Sequence, residues 1–168
     1  GDIALFYLKK RSETDCIPIM RMSKDEAKTW GPGQPCITDR KRYFTVNNNR
    51  VIQLTSGRLL VPVALFDLLS PGSVWHKAGA IFVYYSDDNG KTWHSSKEMP
   101  NPDHVGTQEP GVVKLKNGNL LMFMRTDAGV QYISYSEDQG ETWSPARPGN
   151  IASPISPASL VTIPSTGD

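Results

Sequence analysis

An acidic and a basic side chain flank one short turn in the second half of the chain. Glu109 stands just before an apolar run at 112–115, and Arg125 ends the next apolar run, at 120–125. A guanidinium binds a carboxylate through two parallel, charge-assisted hydrogen bonds, and a glutamate can accept or donate a proton during a reaction. The two residues are therefore candidates for a functional site. The alternatives are that Glu109 is a solvated loop residue and that Arg125 is a structural ion-pair partner.

The turn between these two runs is a strong hairpin signal. Asn117 and Gly118 separate the runs, and a type I′ turn needs the positive φ angles that Asn and Gly adopt most readily. In an antiparallel hairpin, the start of the first strand and the end of the second strand lie at the same edge. We therefore expect Glu109 and Arg125 to reach the same rim of the fold.

The same topology assigns further polar residues to this rim. They are Arg11 and Asp15 in a charged loop at 9–15, Asn48, Asn49 and Arg50 ahead of the next strand, Asp103 and His104, and Trp75 and His76 in a long loop at 66–78. Trp75 and His76 could stack on a sugar, or they could belong to an ordinary surface loop. Alignment of the two hairpins puts Asn48 at the position of Glu109 and Ala64 at the position of Arg125. The two units are therefore predicted to share a scaffold but not their polar residues.

An eight-residue phrase occurs in several copies along the chain. Residues 86–93 and 136–143, fifty positions apart, both fit S-x-D-x-G-x-T-W, and residues 23–30 are a degraded copy in which Ala27 replaces the glycine. The aspartate can accept hydrogen bonds from N–H groups of its own turn, the glycine supplies a positive φ, and the tryptophan can pack in the core. The phrase is therefore predicted to be a structural turn at the opposite rim, rather than a catalytic aspartate or a calcium loop.

The repeat also predicts the architecture. Glycine and proline, 14 and 13 of the 168 residues, separate short β-rich runs, and no stretch keeps a helical apolar period. Four antiparallel strands per repeat of about fifty residues are typical of a β-propeller. We predict an all-β segment with part of one blade at 1–36, complete blades at 44–98 and 109–147, and the start of another blade at 156–168. We also expect the chain to be a segment of a longer protein that supplies the remaining blades.

Composition argues against several other classes of protein. A formal net charge of +1 offers no basic surface for nucleic acid. No apolar run reaches the length of about 18 residues that a membrane helix needs. Cys16 and Cys36 are too few for a disulfide framework and lack metal-ligand spacing, so we interpret them as small core residues. No cofactor and no metal are predicted.

The repeated phrase resembles the Asp-box, or bacterial neuraminidase repeat (BNR), of the sialidase superfamily. The segment 108–113, followed by 120–125, is similar to the family's segment that carries a catalytic glutamate and one arginine of a carboxylate-binding triad. The runs 156–159 and 163–168 also resemble bacterial members. The resemblance implies a six-bladed propeller that removes terminal sialic acid from glycoconjugates, using a tyrosine nucleophile, a glutamate base, an acid/base aspartate and three arginines.

By this resemblance, several residues acquire roles. Glu109 resembles the glutamate that activates the tyrosine, Arg125 the second arginine of the triad and Asp15 the acid/base aspartate, while Arg11 would line the same pocket and Asn48, Asn49 and Arg50 would contact the substrate. The first arginine is expected upstream of Gly1, and the third arginine and the tyrosine are expected beyond Asp168.

Two functions remain open from the sequence. The first is an exo-acting sialidase, or a relative that acts on another acidic sugar, whose partner is a sialylated or other acidic glycan. The second is a non-catalytic Asp-box propeller that binds glycan or protein. The substrate class alone suggests a secreted or periplasmic location for the first. An arginine before an Ile-Pro motif upstream, with an arginine and a tyrosine downstream, would favour the enzyme.

Overall fold

Strands make up all the regular secondary structure of the residues that the computed structural model describes, which are 1–66, 79–163 and 165–166. This part of the chain contains twelve strands and no helix: β1 (Ile3–Ser12), β2 (Asp15–Ser23), β3 (Gln34–Pro35), β4 (Tyr43–Thr45), β5 (Ile52–Gln53), β6 (Leu59–Phe66), β7 (Ala80–Ser86), β8 (His94–Ser95), β9 (Gln108–Lys114), β10 (Leu120–Arg125), β11 (Val130–Ser136) and β12 (Arg147–Ala152). The predicted all-β class is confirmed. Within the same residues, no helix is long and apolar enough to cross a bilayer.

The first unit, β1–β3, is a hairpin with a short third strand on β2. The β1–β2 register ends with Ser12 opposite Asp15, so the turn has only two residues. The predicted loop at 9–15 is therefore wrong, because β1 continues to Ser12 and β2 begins at Asp15. The charged residues of this stretch suggested a loop. However, β1 is an exposed edge strand, and charged side chains are common on such strands.

The second unit, β4–β8, has an interrupted first strand. β4 pairs with the Phe66 end of β6, β5 pairs with the Leu59 end, and residues 46–51 connect the two short strands. β6 then pairs with β7, and β7 pairs with β8, all antiparallel. The expected order of strands is therefore present. The loop predicted at 66–78 lies outside the described residues except for Phe66.

The third unit, β9–β12, is a four-stranded antiparallel sheet in the order β12-β11-β10-β9. Its fourth strand runs from Arg147 to Ala152, so it extends past the predicted end of this unit at 147. Residues 153–163 contain no strand, and the start of another blade predicted at 156–168 includes positions 164, 167 and 168, which lie outside the described residues.

Two apolar clusters join the three units. Strand β6 contributes to both, because alternate residues of a strand point to opposite faces. Leu60 and Ala64 pack in the cluster shared with the third unit, whereas Val61 and Val63 pack in the cluster shared with the first unit. Other large buried members include Ile81, Leu120, Met122, Met124 and Trp143 on one side and Ile17, Ile19, Phe44 and Phe82 on the other. Cys16 and Cys36 are buried and unpaired, as predicted.

The three copies of the repeated phrase fold into the same turn. Ser86 Oγ donates to Asp88 Oδ1 and accepts from Gly90 N, each at 2.8 Å, and Asp88 also accepts from N and Oγ1 of Thr92 at 2.8 and 2.7 Å. Equivalent bonds surround Asp138 and the aspartate of the degraded copy. The bonds from Thr92 hold the pKa of Asp88 at about 2, well below its usual value. The predicted structural role of the phrase is confirmed.

Candidate active site

Glu109 and Arg125 meet at one end of the β9–β10 hairpin. Arg125 Nη1 donates to Glu109 Oε2 at 3.0 Å, and both side chains are 25% exposed. Ser136, which begins the third copy of the Asp-box along the chain, pairs with Leu120 at the other end of β10. The prediction that Glu109 and Arg125 share a rim opposite the Asp-box is confirmed.

A bulge in β9 brings Glu109 to this position. The β9–β10 register shifts between Phe123 and Arg125, which leaves two residues of β9, Glu109 and Pro110, opposite one residue of β10. The φ angle of Glu109 is 49°, a conformation that costs a residue with a Cβ on the order of 1–3 kcal/mol. Asn49, in the corresponding stretch of the second unit, has a φ of 58°. Both units therefore bend their first strand where it reaches the rim.

Arg125 has hydrogen-bond donors that the contact with Glu109 does not use. Its Nη1 donates to Glu109, whereas its Nε is buried and has no hydrogen-bond partner among the described residues. A guanidinium carries five N–H donors in a rigid, planar arrangement that matches a carboxylate. The rim therefore presents a fixed cation next to a carboxylate.

Arg50 lies near this pair but is the most deeply buried of the predicted site residues, with 4% exposure. Its Nη1 donates to Ser159 Oγ at 3.3 Å, and its Nη2 donates to the carbonyl of Ala158. Burial lowers the pKa of Arg50 from its ordinary value, and the negative charge of Glu109 opposes that shift. The two ends of the guanidinium thus bind the chain itself, and the substrate contact expected for Arg50 stays a prediction.

Asn48 and Asn49 lie at a cavity between the first and second units. The cavity has a volume of about 480 Å³, and residues 46–51 line it together with Phe6, Tyr7 and Leu8 of β1. Both asparagines are exposed. A second cavity, of about 230 Å³, runs from Asn49 and Arg50 to Gly111 and Phe123 on the third unit. Amide groups beside apolar and aromatic side chains could bind a sugar, so the substrate contacts of Asn48 and Asn49 stay predictions.

Arg11 and Asp15 contact each other at the β1–β2 turn. Arg11 Nη1 donates to Asp15 Oδ2 at 3.2 Å, and Asp15 Oδ1 is buried without a hydrogen-bond partner among the described residues. In the described part of the chain, no hydrogen bond or ion pair joins these two residues to Glu109 or Arg125. Within the described residues, the four side chains therefore form two pairs, Arg11 with Asp15 and Glu109 with Arg125, that do not contact each other.

The remaining predicted rim residues have local partners or lie outside the described residues. Asp103 Oδ2 accepts from Tyr132 Oη at 3.0 Å, and His104 is exposed. Burial, followed by the bond to Asp103, raises the pKa of Tyr132. Trp75 and His76 fall outside the described residues. Within the described ranges, no group of three or more His, Cys, Asp or Glu side chains could hold a metal ion.

Residues 153–159 are held by contacts that sequence reasoning missed. Gln131, which is 4% exposed, donates from Nε2 to Ser153 Oγ at 2.8 Å and to the carbonyl of Ser156 at 3.3 Å. Arg50 binds the next part of the same segment at Ala158 and Ser159. These partners are 22 to 109 positions apart along the chain, and no local pattern reveals such pairs.

The family assignment rests on a match along almost the whole chain. Residues 1–167 match the family described as BNR repeat-like domain. The chain belongs to this family. As a BNR protein, it is also 34% identical to sialidase-3 of Rattus norvegicus over 113 residues, which cover 60% of this chain and 26% of that protein. It is 31% identical to sialidase-4 of Homo sapiens over 89 residues, which cover 47% of this chain and 18% of that protein.

A solved structure supports the same assignment for this BNR protein. The intramolecular trans-sialidase from Ruminococcus gnavus, in complex with oseltamivir carboxylate, superposes with a TM-score of 0.60 at 25% identity and covers 81% of this chain. The match covers 27% of that structure. The chain thus has the sialidase-type all-β fold of the superfamily, and it spans about a quarter or less of the relatives that it matches.

Proposed function

We propose that this chain is part of an exo-acting sialidase, a glycoside hydrolase that removes terminal sialic acid from glycoconjugates. The observation that carries the proposal is the 3.0 Å contact between Glu109 and Arg125 at the rim opposite the Asp-boxes. In the proposed enzyme, the three units are blades of a six-bladed propeller, and the rim faces the substrate.

The chemistry of the substrate explains the residue types. A sialic acid carries a carboxylate beside its reacting carbon, so a guanidinium such as that of Arg125 is suited to orient it. A carboxylate nucleophile would be repelled by that anion, and sialidases use a tyrosine instead. Glu109 would take the proton of this tyrosine, which another part of the protein supplies. The ligand named for the R. gnavus relative is itself a carboxylate, which fits the role of Arg125.

The other predicted residues complete the proposal. Asp15 would protonate the leaving oxygen and then activate water, and Arg11, 3.2 Å from it, would hold its carboxylate in place. Asn48 and Asn49 would contact the hydroxyl or acetamido groups of the sugar from the neighbouring cavity. No contact between described residues joins the Arg11–Asp15 pair to the Glu109–Arg125 pair. In the proposed enzyme, the bound substrate would therefore lie between the two pairs and contact both.

The test is hydrolysis of a fluorogenic sialoside by the full-length protein. We expect the wild-type protein to cleave it and the Arg125→Ala variant to lose most of its kcat/KM. Asp87→Ala, a change to an exposed residue at the Asp-box rim, is the control and should leave kcat/KM close to wild type. Tight binding of the sialoside without cleavage would favour the non-catalytic Asp-box propeller instead. Cleavage that survives Arg125→Ala would refute the assigned site.

A further inference from the structure

The Arg50 side chain extends from the second unit onto the third unit, where it packs closely against Gly111. A Cβ atom added at Gly111 would lie 2.3 Å from Phe123 Cζ and 3.0 Å from Arg50 Cδ. No Cβ tolerates the first of these distances, so the close approach of the three residues requires glycine at this position. Gly111 and Phe123 are also partners in the β9–β10 ladder.

The far end of the side chain is fixed to residues that follow the third unit. Arg50 donates to the carbonyl of Ala158 and to Ser159 Oγ, and its guanidinium carbon lies 5.2 Å from the centre of the Phe123 ring. A guanidinium over an aromatic face at this distance gains a cation–π interaction. These contacts offset part of the cost of burying the charge, while the buried Nε of Arg50 has no hydrogen-bond partner among the described residues. This contact set therefore ties residues 158–159 to the second and third units together.

The contact set lies directly beside the candidate active pair. Glu109 and Arg125 are each two positions from the ladder partners Gly111 and Phe123. Residues two apart on a strand point to the same face, so the Phe123 side chain projects beside that of Arg125. The Arg50 guanidinium, which covers the Phe123 ring, therefore sits on the face of the sheet that carries the active pair.

We propose that Arg50 is a positioning residue, which holds residues 158–159 against Phe123 and thereby fixes the wall of the site next to Glu109 and Arg125. This inference rests on the proposed sialidase function for its catalytic consequence. It differs from the role suggested by the sequence, in which Arg50 touches the substrate. The two roles predict different kinetic changes. A misplaced wall lowers kcat because it affects the reaction step, whereas a lost substrate contact raises KM because it weakens binding.

The kinetic test uses Arg50→Met and Arg50→Lys in the full-length protein. A misplacement of about 1 Å can cost roughly 100-fold in rate, so for Arg50→Met we expect kcat to fall about 10- to 100-fold with KM within about threefold of wild type. Arg50→Lys keeps the positive charge and a hydrogen-bonding ammonium group but not the planar arrangement of donors, so it should recover part of the lost kcat. A rise in KM with unchanged kcat would overturn the proposal in favour of a substrate contact.

Gly111→Ala tests the same contact set without changing Arg50. The added Cβ must displace Phe123 or Arg50, so kcat should fall as it does for Arg50→Met. Mutations within one contact network are not additive, and the double variant should therefore be no slower than the slower single variant. Multiplication of the two effects in the double variant would show that Gly111 and Arg50 act independently, against the proposal.

A measurement that needs no activity separates this inference from the proposed function. Arg50→Met should increase cleavage by subtilisin within 153–163 about tenfold, since the loss of a charged hydrogen bond frees the segment. Ser159→Ala alters only an exposed residue and should increase the cleavage about threefold, as for one weaker hydrogen bond. Arg125→Met is the control and should leave cleavage there unchanged.

If the protein cleaves no sialoside but these rates change, the function is wrong and the anchoring role stands. If the rates do not change, the anchoring role is wrong.

Discussion

Replacement of Glu109 by glutamine distinguishes a catalytic glutamate from a structural ion-pair partner. The side chain keeps its shape and can still contact Arg125, but it can no longer accept a proton from a tyrosine. The ion pair is 3.0 Å long with both side chains 25% exposed, and pairs with this access to solvent contribute about 1 kcal/mol or less to stability. Loss of a general base, in contrast, lowers the rate about 10²- to 10⁴-fold. The expected loss in transition-state stabilisation is therefore about 3–5 kcal/mol, which exceeds the loss in folding stability.

The assay compares kcat/KM on a fluorogenic sialoside with the free energy of unfolding in urea, for wild type and Glu109→Gln. Arg125→Gln is a useful companion, because it removes the same ion pair from the other side and should raise KM as well as lower kcat. A catalytic glutamate predicts a large drop in activity with a nearly unchanged unfolding midpoint. If Glu109→Gln lowers activity less than tenfold, or in proportion to a lower stability, Glu109 is a structural partner and the proposed mechanism fails.

Three further predictions concern the Asp-box rim. Ala27 has a φ of 66° in the degraded Asp-box, so Ala27→Gly should raise the free energy of unfolding in urea by about 0.5–1 kcal/mol. The reverse change, Gly140→Ala at a φ of 94°, should lower it. Because the pKa of Asp88 is lowered to about 2, its stabilising effect is complete above about pH 4. Asp88→Asn should therefore lower the melting temperature at neutral pH, and the difference from wild type should shrink as the pH falls from 4 to 2. Arg58 donates to Asp87, to Glu141 and to the carbonyl of Gln139, so Arg58→Met should cost about 1–2 kcal/mol in urea unfolding, with little recovery by lysine.

The sequence could predict those parts of the site that one hairpin positions. The turn at Asn117 and Gly118 sets the β9–β10 register, and this register together with the bulge in β9 puts Glu109 and Arg125 at one edge. Only Gly118 of the two turn residues has a positive φ, so the turn is not the type I′ turn that the Asn-Gly pair suggests. The same local reasoning identified the Asp-box as a turn, because the hydrogen bonds that shape the turn join residues within the eight-residue phrase itself. It failed at 9–15, where charged side chains suggested a loop. Residues 9–12 continue an exposed edge strand, and Asp15 already begins its largely buried partner β2.

Long-range contacts explain why the rest of the site could not be predicted. The sequence predicts Arg50 at the rim with its neighbours Asn48 and Asn49, but its guanidinium turns inward to partners more than 100 positions away. The gap that admits it depends on Gly111 in another strand. Neither the charge of Arg50 nor its position in the hairpin indicates burial. Only the packing of the second unit against the third determines which way the side chain points.

The two rims differ in what the repeated units share. At the Asp-box rim, the serine, aspartate and threonine keep the same hydrogen bonds in all three copies, even where Ala27 replaces the glycine. At the opposite rim, the units share a backbone bend, with a positive φ at Asn49 and at Glu109, but not the side chains. The bend therefore belongs to the scaffold, and the strain at Glu109 is not by itself a sign of catalysis. The functional assignment depends on the acidic group at this bend and on the arginine that faces it, and Ala64 provides no such partner in the second unit.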